Sequence, residues 1–291
     1  MRRSLLGLFC FVFALPALSQ APPADTTGAW VQTAVGGLSL TQAQYDNWTG
    51  GGENTTAFKG QIKYGAVGGT TVQQTHEAEF AFGQSRVGDQ DWRKVDDLIR
   101  YVFKLGYPLN GNEEYQPVFT VDARTQIASG FDYSTEDDVL ISKFLAPAFI
   151  TESAGFQYKP APWAQARLGL AARQTIVTDE DLRDPDNPAF EFTNGYGNDP
   201  GQTLRFEAGL DLNVSAEREI FENVLLNSEL SVFESFQDLS NPDIRWKNLF
   251  TFGVNRYLNA TFEFEAFYDR DQSEDLQIRQ VLSLGLSYTL L

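Results

Sequence analysis

The chain has 291 residues, enough for one large or two modest domains and enough to bury a core without disulfide bonds. Its formal net charge of −17 argues against nucleic-acid binding, which needs a basic surface. Aromatic residues make up 13 % of the chain, a high share for a globular domain, and the only cysteine is Cys10. The composition therefore points away from DNA- or RNA-binding proteins and from disulfide-rich secreted domains.

The beginning of the chain predicts an export signal. Two arginines precede the apolar run LLGLFCFVFAL, and ALS at 17–19 supplies the small residues that signal peptidase requires. The apolar run is too short to span a membrane comfortably. We expect residues 1–19 to be a cleaved signal peptide and residues 20–28 to form a short periplasmic tail.

The mature chain is dominated by alternation with a period of two, which places successive side chains on opposite faces of a β-strand. In TFEFEAFYD, Phe262, Phe264 and Tyr268 share one face, and Glu263 and Glu265 share the other. Strands in soluble sheets usually run about five or six residues. The predicted strands run about ten, which is the length that a tilted strand needs to cross a bilayer.

We predict twelve such strands in chain order. They begin near Trp30, Thr56, Thr71, Val95, Val118, Leu145, Trp163, Thr203, Val224, Ile244, Thr261 and Leu276. Connections after odd-numbered strands are long and polar, the longest at 179–201, and those after even-numbered strands are mostly tight. This asymmetry is typical of barrels with short periplasmic turns and longer outer loops, and an even strand number returns both termini to the periplasm.

The predicted fold is therefore all-β: a transmembrane antiparallel up-and-down β-barrel of about 12 strands, spanning residues 29–291, in the outer membrane of a Gram-negative bacterium. A soluble periplasmic β-barrel binding protein is the alternative, although its apolar face would point inward and its strands would be shorter. The last strand alternates as expected from Leu282 to Leu290. However, outer-membrane barrels often end in an aromatic residue, and this chain ends at Leu291.

Several blocks resemble an uncharacterised family of bacterial outer-membrane barrels, classed as a domain of unknown function. They include LSLTQAQYDNWTGGGENT, RKVDDLIRYVFKLGY, SKFLAPAFITESAGFQYKPAPWAQARLGLAARQT, ENVLLNSELSVFESFQDLSNPDIRWKNLFTFGVNRYLNATF and GLSYTLL. The resemblance covers most of the chain from about Trp30 to Leu291 and implies the fold and the location. The family has no established activity, so the resemblance implies no catalytic residues.

Sites for catalysis and metal binding find little support in the sequence. His76 is the only histidine, which excludes sites that need several imidazoles. It falls on the same face of its strand as Phe80 and Phe82, so we expect it on the lipid side. An outer-membrane lipid-acting hydrolase is the enzymatic alternative. The acidic stretch DEDLRDPDNP lacks the glycine of a calcium-binding EF-hand, because Asp184 stands in its place. We expect no catalytic residues, metal site or cofactor.

The face of each strand opposite the apolar face carries charged residues of both signs. We expect these residues to line the interior of the barrel. They are Arg100, Lys104, Asp122, Arg124, Glu152, Arg167, Arg173, Arg205, Glu207, Asp211, Glu229, Arg245, Lys247, Glu263 and Glu265. If these charges interlock, the barrel is closed and structural. If water separates them, the barrel is a narrow pore whose selectivity they set.

The function predicted from the sequence is thus non-enzymatic: either a narrow passive channel for small polar solutes or a structural barrel. The expected partners are outer-membrane lipids, lipopolysaccharide near the acidic outer loops, and the barrel-assembly machinery. The oligomeric state is left open.

Overall fold

The computed structural model describes residues 29–45, 53–109, 111, 113–133, 138–255 and 257–291. The expected signal peptide and the tail at 20–28 lie outside the described residues. Among the described residues, no helix is long and apolar enough to cross a membrane.

The described chain is built almost entirely of strands. They are β1 (Val31–Ala43), β2 (Thr55–Gly68), β3 (Gln73–Val87), β4 (Arg93–Gly106), β5 (Tyr115–Thr125), β6 (Gly130–Asp132), β7 (Val139–Ser142), β8 (Ala148–Ala161), β9 (Ala164–Ile176), β10 (Leu204–Phe221), β11 (Val224–Ser235), β12 (Asp243–Gly253), β13 (Leu258–Tyr268) and β14 (Gln277–Thr289). Helix α1 (Pro188–Thr193) and a 3-10 turn (Asn194–Gly197) lie between β9 and β10.

Twelve strands close an antiparallel barrel in the order β1-β14-β13-β12-β11-β10-β9-β8-β5-β4-β3-β2, and β6 and β7 form a separate hairpin. The predicted fold is confirmed, and every predicted strand start lies within three residues of an observed barrel strand. Consecutive barrel strands are neighbours throughout, and β14 pairs with β1 to complete the ring. Closure matters because a spanning sheet cannot leave an edge in hydrocarbon.

The two ends of the barrel differ in their connections. At one end, which we call the turn end, two-residue turns join β8 to β9 and β10 to β11. Asn223 adopts φ 61 in the second of these, a left-handed conformation that asparagine tolerates in tight hairpins. Since β10 continues to Phe221, its connection to β11 consists of Glu222 and Asn223 alone. The opposite end, the loop end, carries the long connections.

The loop end is ordered by a small apolar cluster of Ala146, Val177, Leu182 and Ala189, which are all buried. Helix α1 begins with Pro188, and its N-cap Asn187 accepts a hydrogen bond from the Ala189 amide, so a free backbone donor is satisfied. The long β9–β10 connection is thus a folded loop. The alternation of the sequence did not predict α1, because six residues are too few to show a helical period.

The β6–β7 hairpin packs against the outward side of β4. Asp97 lies opposite Phe82 on that side, and its side chain is only 2 % exposed. Its carboxylate accepts hydrogen bonds from the backbone amides of Ile127 and Ala128, both at 2.8 Å, and from Lys94 at 3.1 Å. This carboxylate ties the hairpin to the barrel rim.

The pairing registers place apolar side chains on the outside of the barrel. Leu170 pairs with Ala154 on one side and Leu210 on the other, and all three face outward. Leu282, Leu284 and Phe156 are among the most exposed apolar side chains. Buried positions on the inward face include polar residues, such as Thr120, Gln157, Glu207 and Asp211. An apolar outside around a polar inside is the arrangement of a transmembrane barrel.

Replacing Leu170 with Arg should lower the free energy of unfolding in a bilayer by about 2–4 kcal/mol, which is the usual effect of a cation at the membrane midplane of such barrels. Leu170 lies at the centre of β9 and is 64 % exposed. The matched control is Leu239→Arg: Leu239 is 67 % exposed but lies in the β11–β12 connection. Urea titration in phospholipid vesicles measures both. Equal effects of the two substitutions would contradict a lipid-facing β9.

Candidate functional site: the charged lumen

Of the fifteen predicted lumen residues, the strand pairing places on the inward face the fourteen that lie on β4, β5 and β9 to β13. They are Arg100, Lys104, Asp122, Arg124, Arg167, Arg173, Arg205, Glu207, Asp211, Glu229, Arg245, Lys247, Glu263 and Glu265. The assignment of Glu152 was wrong. It pairs with Ala172 on the outward face and accepts a hydrogen bond from Gln174 at 3.1 Å. Glu152 lies on the same outward face of β8 as Ile150, Ala154 and Phe156.

The central feature of the lumen is a three-residue ion-pair network around Arg100. Its Nη2 lies 2.6 Å from Oδ2 of Asp122 and 3.1 Å from Oε1 of Glu229. Asp122 is on the neighbouring strand β5, but Glu229 is on β11, and β5, β8, β9 and β10 lie between β4 and β11 around the ring. The Arg100–Glu229 pair therefore crosses the lumen and divides it. Asn213 donates a further hydrogen bond to Glu229 at 3.0 Å.

A second network joins the walls closer to the β1–β14 seam. Lys59 on β2 pairs with Asp96 on β4 and lies 3.7 Å from Glu263 on β13. Arg279 on β14 pairs with Glu263 and contacts Asp96 at 3.6 Å and Glu265 at 3.1 Å.

The sequence analysis missed three members of this second network. Lys59 alternates with Phe58 and Gly60, so its parity was readable from the sequence. Asp96 is separated from Arg100 by an even number of residues, and the bulge of the β3–β4 ladder lies beyond it at Val95, so its face was readable as well. Arg279 lies between Ile278 and Gln280, so the alternation of side chains along β14 also places it on the inward face.

The inward-facing cations Lys104 and Arg124 make no ion pair with a carboxylate among the described residues. Lys104 donates to Oε1 of Gln157 at 3.2 Å. Arg124 stacks over the ring of Phe149 with its Cζ 4.7 Å from the centroid. Burying an unpaired charge away from water is strongly unfavourable. Lys104 lies nearer the turn end than Arg100, and Arg124 lies directly opposite Arg100 on the neighbouring strand.

The wall formed by β9 and β10 carries further pairs. Arg167 lies 2.8 Å from Asp211 and also contacts the Thr120 hydroxyl. Arg173 pairs with Asp243 of β12. Arg205 binds Glu207 at 2.8 Å and also Asp271 of the β13–β14 loop, so it anchors that loop to the rim.

The loop end of the lumen widens into a vestibule of about 630 Å³. Carboxylates outnumber cations in its lining, which consists of Glu191, Asn194, Arg205, Glu207, Phe233, Ser235, Asp238, Asn241, Asp243, Arg270, Asp271, Gln272, Ser273 and Glu274. Arg173 stacks over the Phe233 ring, with its Cζ 3.7 Å from the centroid, and Arg245 stacks over Phe267 at 4.5 Å. Phe233 belongs to the lining of the vestibule, so the first of these stacks lies at its wall.

An ion pair outside the barrel wall holds two of the loops together. Lys143 donates to Asp179 at 2.8 Å, and this hydrogen bond and the charge of Asp179 raise the pKa of Lys143. Burial raises the pKa of Asp179, but the hydrogen bond and charge of Lys143 outweigh it, so the pKa lies below its usual value. The stability contributed by Asp179 is present above the usual carboxyl pKa and is lost as the pH falls through the lowered one.

The acidic stretch around Asp179 forms local turns. The amides of Asp181 and Asp186 are held by the carboxylates of Asp179 and Asp184 two residues earlier. No cluster of His, Cys, Asp or Glu able to hold a metal ion occurs in the part of the chain that the structure describes.

His76 lies on the outward face near the turn end. Its Nδ1 is 2.7 Å from the Tyr101 hydroxyl oxygen, and its ring lies 5.0 Å from Phe103 and 5.5 Å from Trp30, centroid to centroid. Within the described ranges it makes no hydrogen bond to a serine. This aromatic setting resembles the belts that anchor membrane proteins at the interface.

Comparison with known proteins gives a family match and a set of similar barrels. Residues 40–131 match the family model described as Protein of unknown function (DUF3078), which confirms the predicted resemblance to an uncharacterised family over that part of the chain. No curated protein matches the chain.

Similar solved structures are bacterial outer-membrane barrels. The COG4313 outer membrane channel from Pseudomonas putida F1 is 13 % identical, with 93 % of this chain and 96 % of that one covered and a TM-score of 0.41. The translocator domain of the autotransporter NalP from Neisseria meningitidis is 9 % identical over 91 % and 89 %, with a TM-score of 0.37. The NanC porin is 7 % identical over 89 % and 100 %, with a TM-score of 0.39. These likenesses assign no function to this chain.

Replacing Arg100 with Met should destabilise the barrel by leaving Asp122 and Glu229 without their cation. Breaking a buried pair usually costs about 3–5 kcal/mol, and we expect about 2 kcal/mol because these side chains keep contact with water. The triple variant Arg100→Met/Asp122→Asn/Glu229→Gln should recover most of the loss. Urea titration in vesicles measures both. If Arg100→Met unfolds at the wild-type urea concentration, the network does not stabilise the barrel.

Proposed function

We propose that the protein is a narrow passive channel for small polar solutes in the outer membrane of a Gram-negative bacterium, and that the Arg100 network closes it at its midsection in the present conformation. The observation that carries the proposal is a lumen lined by charges of both signs and bridged from β4 to β11 by Arg100 and Glu229.

The chemistry of the interior favours a water path over a purely structural barrel. A barrel that only had to be stable would gain more from apolar packing, because replacing buried ion pairs by well-packed apolar residues is often neutral or stabilising. Lys104 and Arg124 support the same view, since they make no ion pair with a carboxylate among the described residues and need water. The bridge is made by two long, rotatable side chains, so a change of rotamer suffices to open a path.

The vestibule indicates the charge preference of this channel. Six carboxylates and two arginines line it. A cleft with an excess of one charge raises the local concentration of the opposite ions. We therefore infer that neutral and cationic solutes enter from the loop end more readily than anions do.

The membrane setting follows from the outward face. Apolar side chains cover it, and aromatic residues such as Trp30, Tyr115, Tyr158 and Trp163 lie near the turn end. We propose that the loop end faces outward from the cell, where its acidic loops lie beside lipopolysaccharide, and that the barrel-assembly machinery inserts the chain.

Planar-bilayer recordings on the refolded protein test the proposal. The wild type should give small or rare currents, and Glu229→Gln should give larger or more frequent ones, because it removes the negative charge that holds Arg100 across the lumen. The control is Asp179→Asn, which breaks an ion pair of the loops outside the lumen and should leave the currents unchanged. If neither wild type nor Glu229→Gln conducts, the channel proposal fails and a structural barrel is favoured.

A further inference from the structure

The seam that closes the barrel is paired over a much shorter length than its neighbours. β1 pairs with β2 over all thirteen residues of Val31–Ala43, and β13 pairs with β14 over ten positions. β1 and β14 pair over only five positions, from Val35 opposite Thr289 to Ser39 opposite Gly285. All five lie in the half of the seam toward the turn end.

Beyond these five positions, β1 and β14 part. In the described structure, Leu40–Ala43 of β1 pairs with β2 alone, and Gln277–Leu284 of β14 pairs with β13 alone. The existing register, continued, would set Leu40 opposite Leu284 and Ala43 opposite Val281. Each of these pairs has matching faces, so side-chain parity does not prevent closure. The seam is open although its residues are compatible with pairing.

An apolar cleft of about 330 Å³ lies at the point where the strands part. Leucine and phenylalanine side chains of the outward face form most of its lining, which consists of Leu38, Ser39, Leu40, Phe58, Lys59, Leu258, Leu284, Gly285 and Leu286. The cleft is continuous with the apolar outer surface of β1, β2 and β14. Its volume lies at the lower end of the range for small-ligand sites.

Lys59 is the single charged residue of this lining. Its ammonium belongs to the network with Asp96 and Glu263 inside the barrel, so the cleft reaches from the outer surface to the lumen wall. The Lys59 side chain is 22 % exposed, more than Asp96 at 14 % or Glu263 at 10 %. The cleft therefore presents an apolar wall toward the membrane and a cation at its inner end.

Backbone chemistry indicates how such an opening can exist in a membrane. Unpaired N–H and C=O groups are not tolerated in hydrocarbon and persist there only where they line a water-filled space. The free edges of Leu40–Ala43 and Gln277–Leu284 must therefore be hydrated from the lumen or the loop end. The open part of the seam is a contact between the wet interior and the lipid.

We propose that the open β1–β14 seam is a lateral opening that takes the acyl chain of an anionic amphiphile, with its headgroup at Lys59. The apolar lining and its continuity with the membrane-facing surface favour an acyl chain. A carboxylate or phosphate headgroup would take the place of Glu263, which lies 3.7 Å from the Lys59 ammonium and keeps Arg279 as its partner. This inference stands apart from the proposed conductance, since it concerns the barrel wall and not the axial path.

Photolabelling tests the site with a defined probe. The barrel is reconstituted in phosphatidylcholine vesicles with a palmitic acid that carries a diazirine on its chain, and the adducts are mapped by mass spectrometry. We expect labelling around Leu38–Leu40 and Leu284–Leu286 several-fold above that of Leu168 and Leu170, which are similarly exposed on β9. Lys59→Gln and the methyl ester of the probe should each reduce labelling at the seam several-fold, and Lys59→Arg should retain it.

A disulfide variant distinguishes labelling through a lateral opening from labelling through general contact with lipid. In the cysteine-free mature chain, Thr41→Cys/Ser283→Cys should close the open part of the seam when oxidised, abolish labelling there, and restore it on reduction. Thr261→Cys/Ser283→Cys is the matched control, because Thr261 and Ser283 already pair in the closed β13–β14 seam. Its oxidation should change nothing. Uniform labelling of the whole outer surface, or labelling that survives closure of the seam, would overturn the proposal.

Discussion

The structure depends on one constraint: inside a bilayer, each backbone N–H and C=O must find its partner within the protein. A chain without a membrane-spanning helix among its described residues meets this constraint with a closed sheet, and the β1–β14 pairing completes the ring. Closure in turn fixes two faces, because strand side chains alternate. The outward face is apolar since it meets lipid, and the inward face collects the residues that need water or an opposite charge.

The inward face shows how one set of charges can serve both stability and transport. Arg100 joins Asp122 on the next strand and Glu229 on the far wall, and Arg279 and Lys59 tie Glu263 and Asp96 together nearer the seam. These pairs interlock at the midsection. Lys104 lies toward the turn end and Arg124 beside Arg100, and neither makes an ion pair with a carboxylate among the described residues. The lumen thus combines a bridged middle with cations that lack an ion pair, and the proposed channel would open by a rearrangement of these side chains.

Much of this fold could be predicted from the residues, and much of the site could not. Alternation identifies the strands and their faces because its period is local, which is why Glu263 and Glu265 could be placed inside. Partnership across the lumen is not local: Arg100 and Glu229 are separated by 129 positions along the chain, and nothing in either strand encodes the other. The face of Glu152 was misread, and Lys59, Asp96 and Arg279 were overlooked although the alternation of their strands places them inside. The length of the β1–β14 pairing depends on how the whole sheet closes, so no single strand reveals it.

The most direct test of these two faces is a nitroxide scan of β13 in bilayers, with single cysteines at 259–268 in the cysteine-free mature chain and power saturation in oxygen and in an aqueous nickel complex. Phe262, Phe264 and Ala266 should be accessible to oxygen dissolved in lipid, and Thr261, Glu263 and Glu265 should be protected from it, with a period of two. The nickel complex should show the opposite phase wherever it enters the lumen. A scan without alternation, or one in which the glutamates meet lipid, would contradict the assignment of an apolar outside and a charged inside.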